Sequence, residues 1–319
     1  MTPNIEVLCA GIIVADHVCT PIPHLPAAGE LVMADGMLLT IGGCAANAAV
    51  DLAKMKVRAG VAGRVGADVL GRVVTELLRE ANVEVSYIQT SPGAATSQTL
   101  IVNVKAQDRR FIHTFGANSE FRARDLPLQL LDSVKVLYVG GYLAMPQLRQ
   151  EELASVFAAA RARGVKTVLD IVVPGKGEYL ACLDRLLPHV DVFLPNDLEG
   201  ELITGEKEPV RQAEVFQKLG AGTTIITMGG AGAVLVQKDL KLRCGVYAVP
   251  FVDGSGGGDA FDAGYICGLL HGMSTEDCLR VASALGASCV RAIGTTPGVF
   301  TRAECEAFLK EQEFKIDRI

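Results

Sequence analysis

Short apolar segments alternate with longer segments of helical periodicity along most of this chain. The short segments are rich in β-branched residues, which is typical of buried parallel strands. We predict strands at residues 7–13, 58–62, 134–139, 166–171, 190–194, 223–227 and 233–236. We predict helices at residues 47–55, 69–81, 147–163, 197–204, 210–219, 259–271, 275–291 and 302–312. This alternation predicts an α/β fold in which a mostly parallel sheet is covered by helices on both faces.

Two segments interrupt the alternation. Residues 19–40 are rich in proline and glycine, and residues 97–115 alternate apolar and polar side chains as a β-hairpin does. The hairpin strands are predicted at residues 100–104 and 111–113, with the turn around Gln107 and Asp108. Together the two segments predict a small β-structure inserted into the α/β fold. An ordinary surface hairpin explains the second pattern equally well.

Length and composition favour one large domain. The chain has 319 residues, half of them hydrophobic, which is enough to bury a substantial core. Because no repeat or low-complexity linker divides it, we predict a single domain over residues 1–319. The formal net charge is −6 and no basic run is present, which argues against nucleic acid or an anionic membrane surface as a partner.

The cysteines indicate a reducing compartment. There are nine of them, an odd number, and none forms a Cys-x-x-Cys pair. This pattern favours reduced, mostly buried thiols over a disulfide framework or a zinc site, and therefore predicts a cytoplasmic protein. The first six residues lack the basic and apolar regions of a secretory signal, and no apolar run approaches the ~20 residues of a membrane span.

A glycine-rich turn that ends on an aspartate is the most informative stretch for chemistry. Gly256, Gly257 and Gly258 immediately precede Asp259, which opens an apolar helix. Glycines let several backbone N–H groups approach one ligand, and a helix N-terminus favours phosphate. A carboxylate beside such an anion site can accept the proton of an attacking hydroxyl, as phosphoryl transfer requires. The alternative is that Asp259 only caps its helix.

Polar and glycine residues near the N-terminus suit a polyhydroxylated ligand. Gly42 and Gly43 permit close approach of a ligand, and Asn47 offers donors and acceptors to hydroxyls. Tight packing at a helix start explains the small residues around Asn47 as well. Asp16 follows the first apolar strand, where open α/β sheets bind ligands, and its carboxylate can accept hydrogen bonds from two hydroxyls. An exposed turn residue is the alternative for Asp16.

Two further motifs follow apolar strands in the second half of the chain. Asn196 and Glu199 are three residues apart, so both lie on one face of a helical turn and offer oxygen atoms that suit Mg²⁺. A capping box explains the same spacing. Thr227, Gly229 and Gly232 belong to a glycine-rich turn, which a hairpin would explain. No Gly-x-x-x-x-Gly-Lys-Ser/Thr motif is present, which excludes a P-loop NTPase.

These motifs resemble those of one enzyme family. Residues 253–261, Asp-Gly-Ser-Gly-Gly-Gly-Asp-Ala-Phe, resemble the signature Asp-Thr-Thr-Gly-Ala-Gly-Asp-Ala-Phe of PfkB or ribokinase-like carbohydrate kinases, with Gly254 and Gly257 as departures. Residues 42–47 resemble the family's Gly-Gly-x-x-x-Asn segment, and residues 63–71 its Gly-x-x-Gly-x-Asp-x-x-Gly segment. The resemblance covers nearly the whole chain. It implies a three-layer ribokinase-like fold with a small β-sheet lid, formed by about residues 17–40 and 96–115, that pairs between two copies in a homodimer.

The resemblance also implies a role for each motif residue. Asp259 is the catalytic base, and the amides of Gly256, Gly257 and Gly258 form the anion hole. The residues implied to bind the acceptor are Asp16, Gly42, Gly43 and Asn47. Those implied to contact ATP or its Mg²⁺ are Asn196, Thr227, Gly229, Gly232, Ser283 and, through water, Glu199. Asp253 and Ser255, with residues 292–296, match the region where family members bind K⁺ through carbonyl oxygens.

These features predict an ATP-dependent kinase that transfers the γ-phosphoryl group to a primary hydroxyl of a small sugar. A nucleoside kinase of the same family and a non-catalytic sugar- or nucleotide-binding regulator are the alternatives. Lys105, Arg109 and Arg110 lie around the tip of the predicted hairpin. They would bind a phosphorylated sugar if they faced the site, or protect an exposed strand edge if they faced solvent. We favour an unphosphorylated acceptor that at most one of them, Arg110, contacts.

Overall fold

A computed structural model describes residues 4–107 and 109–319, so the predicted turn residue Asp108 lies outside the described residues. The strands are β1 (Val7–Gly11), β2 (Val14–Ile22), β3 (Met37–Gly42), β4 (Ala59–Gly66), β5 (Glu84–Ser91), β6 (Gln98–Val104), β7 (Arg110–Thr114), β8 (Val136–Gly140), β9 (Lys166–Leu169), β10 (Val192–Phe193), β11 (Thr223–Thr227), β12 (Ala233–Gln237), β13 (Leu240–Cys244) and β14 (Ile316–Arg318). All seven strands predicted for the main sheet are present, with ends that differ by up to a few residues.

The predicted helices are also present. They are α1 (Cys44–Lys54), α2 (Val69–Glu80), α3 (Gln150–Ala162), α4 (Asp197–Thr204), α5 (Pro209–Lys218), α6 (Gly257–Leu270), α7 (Thr275–Cys289) and α8 (Arg302–Glu311). α1 begins three residues earlier than predicted, because Gly43 rather than a polar residue is its N-cap. Within the described residues, no helix combines the length and apolar character that crossing a lipid bilayer requires.

The main sheet is mostly parallel, as predicted. In the described part of the chain it has ten strands in the order β14-β13-β12-β11-β10-β9-β8-β1-β4-β5. The pairs from β11 through to β5 are parallel, whereas β11, β12, β13 and β14 pair antiparallel with one another. The sequence does not predict β5, β13 or β14, which lie at or near the two edges of the sheet.

The side chains of β1 show how the layers are held together. Val7 and Cys9 belong to the core on one face of the sheet, and Leu8 and Ala10 belong to the core on the other, because side chains alternate along a strand. Helices α1, α2, α6, α7 and α8 pack on the first face, and α3, α4 and α5 on the second. This three-layer arrangement confirms the predicted α/β fold class.

A small sheet stands apart from the main one. Its four strands, counted over the described residues, have the order β3-β2-β6-β7. β2 pairs antiparallel with β3 and parallel with β6, and β6 forms an antiparallel hairpin with β7. The predicted hairpin is therefore confirmed, and it belongs to a sheet rather than lying alone on the surface.

The prediction of a first strand over residues 7–13 is wrong at its C-terminal end. β1 stops at Gly11, whose φ of 136° favours glycine, and Ile12 and Ile13 lead the chain out of the main sheet into the small one. Asn118 holds this crossing: its side-chain oxygen accepts from the N–H of Ile13 at 3.1 Å, and its amide nitrogen donates to the Ile13 carbonyl at 3.0 Å. The crossing places Asp16 within β2.

Candidate active site

The glycine-rich turn builds the N-terminus of α6. Gly256 is the N-cap and has a φ of 76°, a left-handed conformation that favours glycine. A Cβ atom here would lie 2.3 Å from the carbonyl oxygen of Thr295, so this contact requires glycine. Gly257 and Gly258 occupy the first two helical positions, where backbone N–H groups have no intrahelical acceptor. The turn therefore offers its amides to an anion.

Asp259 occupies the third helical position of α6. The alternative that it only caps the helix is wrong, because Gly256 is the cap and the Asp259 carboxylate points elsewhere. Its Oδ2 accepts from Asn47 Nδ2 at 2.8 Å, and Asn47 Oδ1 accepts from the Thr295 hydroxyl at 2.9 Å. These bonds join α1 to α6 across 212 residues of sequence. Desolvation raises the pKa of Asp259, and the hydrogen bond from Asn47 opposes that rise.

Asp253 and Ser255 hold the turn from its other side. The buried Asp253 carboxylate accepts from the N–H groups of Ser255 and Gly294, at 2.9 and 3.0 Å. The Cys289 thiol donates to the carbonyl oxygens of Ser255 and Thr295, at 3.2 and 3.0 Å. The Ser255 hydroxyl is buried and finds no hydrogen-bond partner among the described residues. An unsatisfied oxygen therefore lies directly beside the turn.

Asp16 reaches the same place from the small sheet. It lies in β2 and not, as we expected, just after a strand of the main sheet. A Cβ atom at Gly42 would lie 2.0 Å from Asp16 Oδ2, so glycine at position 42 makes room for the carboxylate. Asp16 is 5% exposed, which excludes the alternative of an exposed turn residue. Burial raises its pKa to about 7, and the charges of Asp259 and Asp253 add to the rise. Next to it, Gly43 caps α1 with a φ of 93°.

Three more carboxyl groups accompany Asp259, those of Asp170, Glu199 and Asp262. Burial raises the pKa of each, and electrostatic repulsion from Asp259 contributes to every one of these shifts. The Asp170 Oδ2 accepts from a backbone N–H at 3.1 Å, and the Asp262 Oδ2 accepts from the Tyr138 hydroxyl at 3.0 Å. One oxygen each of Asp170 and Asp259 lies within 4.8 Å of the other and of the Cys44 sulfur. The site therefore brings four carboxyl groups with raised pKa values close together.

Sequence reasoning misses Asp170 and Asp262 as members of this cluster. Asp262 lies in an apolar helix, one turn after Asp259, and a lone acid in such a helix is a signal that could have identified it. Asp170 follows β9 at the same edge of the parallel sheet. Its position just after a buried strand is the corresponding signal.

Asn196 and Glu199 form the capping box of α4. Asn196 Oδ1 accepts from the Glu199 N–H at 2.9 Å, and Glu199 Oε2 accepts from the Asn196 N–H at 3.0 Å. The capping-box interpretation is therefore confirmed. Burial raises the pKa of Glu199 to about 7 in spite of these bonds. A magnesium role for the two residues stays a prediction.

A cavity of about 520 Å³ adjoins the turn. Its lining includes six of the residues predicted to lie at the nucleotide or the anion hole, namely Thr227, Gly229, Gly232, Gly257, Gly258 and Ser283. Asn196 is not among the described residues that line it. The other walls are mostly apolar and come from residues 245–251 and from α6 and α7.

The neighbouring arginines of the small sheet point to different places. Arg110 is exposed and donates to Gln107 Oε1 at 2.7 Å, so the structure does not bring it to the site. Arg109 lines the cavity, with its Nε 4.0 Å from Asp253 Oδ1. Adjacent residues of an extended chain face opposite sides, which accounts for the difference. The sequence analysis names both arginines at the hairpin tip but assigns the contact with the site to Arg110 rather than to Arg109.

The arrangement as a whole suits group transfer to a hydroxyl. A carboxylate with a raised pKa lies beside backbone amides that can hold an anion, and a second buried carboxylate faces them from the small sheet. Proton acceptance by the first carboxylate and charge stabilisation by the amides are the two functions that such a transfer needs.

Comparisons with known proteins agree with this chemistry. A model of the family described as pfkB family carbohydrate kinase matches residues 4–302. The chain is 29% identical to a ribokinase of Haemophilus influenzae over 94% of its length and 97% of that protein, and 30% identical to a 2-dehydro-3-deoxygluconokinase of Bacillus subtilis over 85% and 87%. The structure of Arabidopsis thaliana ribokinase with ribose and ATP aligns with a TM-score of 0.81 and 24% identity, covering 97% of this chain and 99% of that one. That alignment confirms the ribokinase-like fold.

Proposed function

The chain belongs to the pfkB family of carbohydrate kinases, and we propose that it transfers the γ-phosphoryl group of ATP to a primary hydroxyl of a small sugar. The observation that carries this proposal is the position of Asp259, in the first turn of α6, between the glycine amides and the acceptor residues of α1 and β2. Relatives named ribokinase and 2-dehydro-3-deoxygluconokinase support a small sugar or sugar acid as the acceptor.

Asp259 acts as the general base. Its raised pKa makes the ionised carboxylate a stronger proton acceptor than an exposed aspartate. The hydrogen bond from Asn47 at 2.8 Å fixes one carboxylate oxygen and leaves the other for the acceptor hydroxyl. The proton of that hydroxyl passes to Asp259 as its oxygen attacks the phosphorus.

The amides of Gly256, Gly257 and Gly258 stabilise the charge of the phosphoryl group in transfer. They lie at a helix N-terminus, where the partial positive charge of the helix favours an anion. Thr227, Gly229, Gly232 and Ser283 bind the nucleotide in the adjoining cavity, whose volume and apolar walls suit a nucleoside.

The oxygen-rich acid cluster fits Mg²⁺. Asp259 raises the pKa of Asp170 and of Glu199, and Glu199 adds to the rise at Asp170, so a divalent cation would relieve that repulsion. Glu199 would hold the ion through water and Asn196 would orient Glu199, consistent with the preference of Mg²⁺ for oxygen ligands and retained waters. When bound, the ion neutralises charge on the donor's phosphates. K⁺ would bind beside Asp253 and the unsatisfied Ser255 hydroxyl.

Asp16, Gly42, Gly43 and Asn47 bind the acceptor. The buried Asp16 carboxylate can accept from two sugar hydroxyls, and glycine at positions 42 and 43 lets the sugar approach the backbone. Because Arg110 is exposed and bonded to Gln107, and Arg109 lines the cavity assigned to the nucleotide, we infer an acceptor that carries no phosphate. Arg110 would contact the acceptor only if the small sheet took a different position relative to the main sheet.

Residues 17–40 and 96–115 of the single domain form a lid that contains the small sheet. This lid pairs with the lid of a second copy in a homodimer. These lid segments expose large apolar side chains, including Leu31 at 84%, Met33 at 78% and Ile112 at 67%. Exposed apolar side chains that form a patch of this kind often mark a surface that binds another protein. The free cysteines, almost all buried, agree with a reducing compartment such as the cytoplasm.

The proposal is tested by ADP formation from ATP with a panel of acceptors. The panel contains ribose, 2-dehydro-3-deoxygluconate, their monophosphates, and adenosine, each assayed with wild-type enzyme and with Asp259→Asn. We expect turnover with an unphosphorylated sugar, lost in the variant. If none of the acceptors is phosphorylated although ATP binds, the result would favour the non-catalytic regulator. A preference for adenosine would favour the nucleoside kinase.

A further inference from the structure

The nucleotide cavity has an unusual charge distribution. Of its described lining residues, Arg109 alone carries a formal charge, and the rest are glycines, small polar residues and apolar side chains. The ligand proposed for this cavity, ATP, carries several negative charges. Backbone amides at the α6 N-terminus provide only partial positive charge. The cavity therefore holds its one full positive charge on a side chain that comes from the small sheet.

Gly254 makes room for this arginine. A Cβ atom at Gly254 would lie 2.8 Å from Arg109 Nη1 and 3.4 Å from Cζ, so most side chains there would push the guanidinium away. Gly254 is also one of the two positions at which the turn departs from the family signature that it resembles. The signature has threonine at this position. The departure and the arginine therefore occupy the same space, and we interpret them as one adaptation of this chain.

The guanidinium lies close to where the phosphates would be. It is next to Gly254, two residues before the N-cap of α6, and its Nε forms a salt bridge of 4.0 Å with Asp253 Oδ1. Phe111 supports the guanidinium from the same sheet, with its ring centroid 5.3 Å from Cζ.

We propose that Arg109 binds the phosphate oxygens of the donor nucleotide from the small sheet. Planar guanidinium groups suit bidentate pairing with phosphate. Because Arg109 and the hairpin β6–β7 are part of one sheet with Asp16, donor binding also holds the acceptor carboxylate over Asp259. The inference rests on the proposed function and adds to it that the donor's phosphates close the small sheet.

Calorimetric binding of ATP, ADP and adenosine to the full chain, without acceptor, tests the proposal. Arg109→Ala should weaken ATP and ADP binding by about 10- to 100-fold, the range for a lost hydrogen-bonded charge, and leave adenosine binding within about twofold. Arg109→Lys should fall between. The matched control is Lys105→Ala, which removes one positive charge from the exposed end of the same hairpin and should bind all three ligands as wild type does.

Hydrogen exchange over β6 and β7 supplies a second readout. ATP should slow exchange there in wild type and fail to do so in Arg109→Ala, while adenosine has no effect in either. Unchanged ATP affinity in a folded Arg109→Ala overturns the proposal, and if wild type still phosphorylates sugars the proposed function stands. A raised KM for an acidic acceptor alone would assign Arg109 to the acceptor and also overturn it. A wild type that binds no ATP refutes the proposed function itself.

Discussion

The cost of burying the Glu199 carboxylate in the acid cluster can be measured through the free energy of unfolding. Burial and, to a smaller extent, the Asp259 carboxylate raise its pKa to about 7, from an ordinary value of 4.5. A group whose folded pKa is raised supports the fold fully below its unfolded pKa, and that support is lost as pH rises through the folded pKa. The full loss above pH 7 is about 3 kcal/mol, because one pKa unit corresponds to about 1.4 kcal/mol.

Glu199→Gln removes the charge but keeps the capping box, since glutamine can accept from the Asn196 N–H as glutamate does. The helix N-terminus favours the carboxylate and offsets about 0.3–1 kcal/mol of the gain. We therefore expect nucleotide-free Glu199→Gln to be about 2 kcal/mol more stable than wild type at pH 8 and within about 1 kcal/mol of it at pH 5. Urea unfolding at both pH values measures the difference.

The capping box of α8 provides a matched control with the opposite sign. Glu304 is exposed and occupies the same position relative to Thr301, and hydrogen bonds from Thr301 lower its pKa. Its support is present above pH 4.5 and lost as pH falls, so Glu304→Gln should be less stable than wild type at pH 8 and match it in acid. Glu199→Gln should also need more Mg²⁺ for half-maximal rate. If Glu199→Gln is no more stable than wild type at pH 8, or if its difference from wild type in unfolding free energy is the same at pH 8 and pH 5, the reasoning is refuted.

Four further changes test the site. Asp259→Asn should keep the fold and ATP binding, because an amide can still accept from Asn47, and lower turnover by about 10²- to 10⁴-fold; turnover within a few-fold of wild type would remove the base assignment. Asn47→Ala should shift the acidic limb of the kcat/KM profile to higher pH, since it removes the hydrogen bond that opposes the raised pKa of Asp259; an unmoved limb contradicts this. Gly256→Ala should lose at least about 1–2 kcal/mol in urea unfolding from its left-handed φ alone, whereas Gly258→Ala, whose Cβ meets nothing within 4 Å, should lose no stability; equal effects of the two would count against the geometry. Activity should be higher in K⁺ than in tetramethylammonium at matched ionic strength, and equal rates would exclude a specific cation beside Asp253.

The buried strands of the main sheet are predictable because both of their faces contact helices, which leaves a continuous apolar run. β5 lacks that signal, since all but one of its residues are partly or fully exposed. β3 is misleading for another reason: Met37, Leu38 and Leu39 are apolar yet exposed. A continuous apolar run in the sequence therefore predicts strands that helices cover on both faces. It does not identify strands at the edge of a sheet or strands with an exposed face.

Asp259 and its glycines can be identified from sequence because they are contiguous. The choice between Arg109 and Arg110 depends instead on strand register, and a shift of one residue exchanges the two faces. Part of the acid cluster is also non-local, since Asp170 follows β9 and reaches Asp259 only through the packing of the sheet against α6. Sequence predicts the groups that lie on one turn, and the fold alone brings together those that lie on different elements.

The place of β1 in the sheet has a consequence for synthesis on the ribosome. The first strand of the chain lies between β4 and β8, so one of its edges stays open until residues 136–140 have been translated. The bond between Asn47 and Asp259 must wait longer still, for α6. Contacts so distant in sequence slow folding, and an open apolar strand edge invites aggregation. Nascent chains that end before α6 should therefore depend on chaperones and have no activity, however well their own helices and strands form.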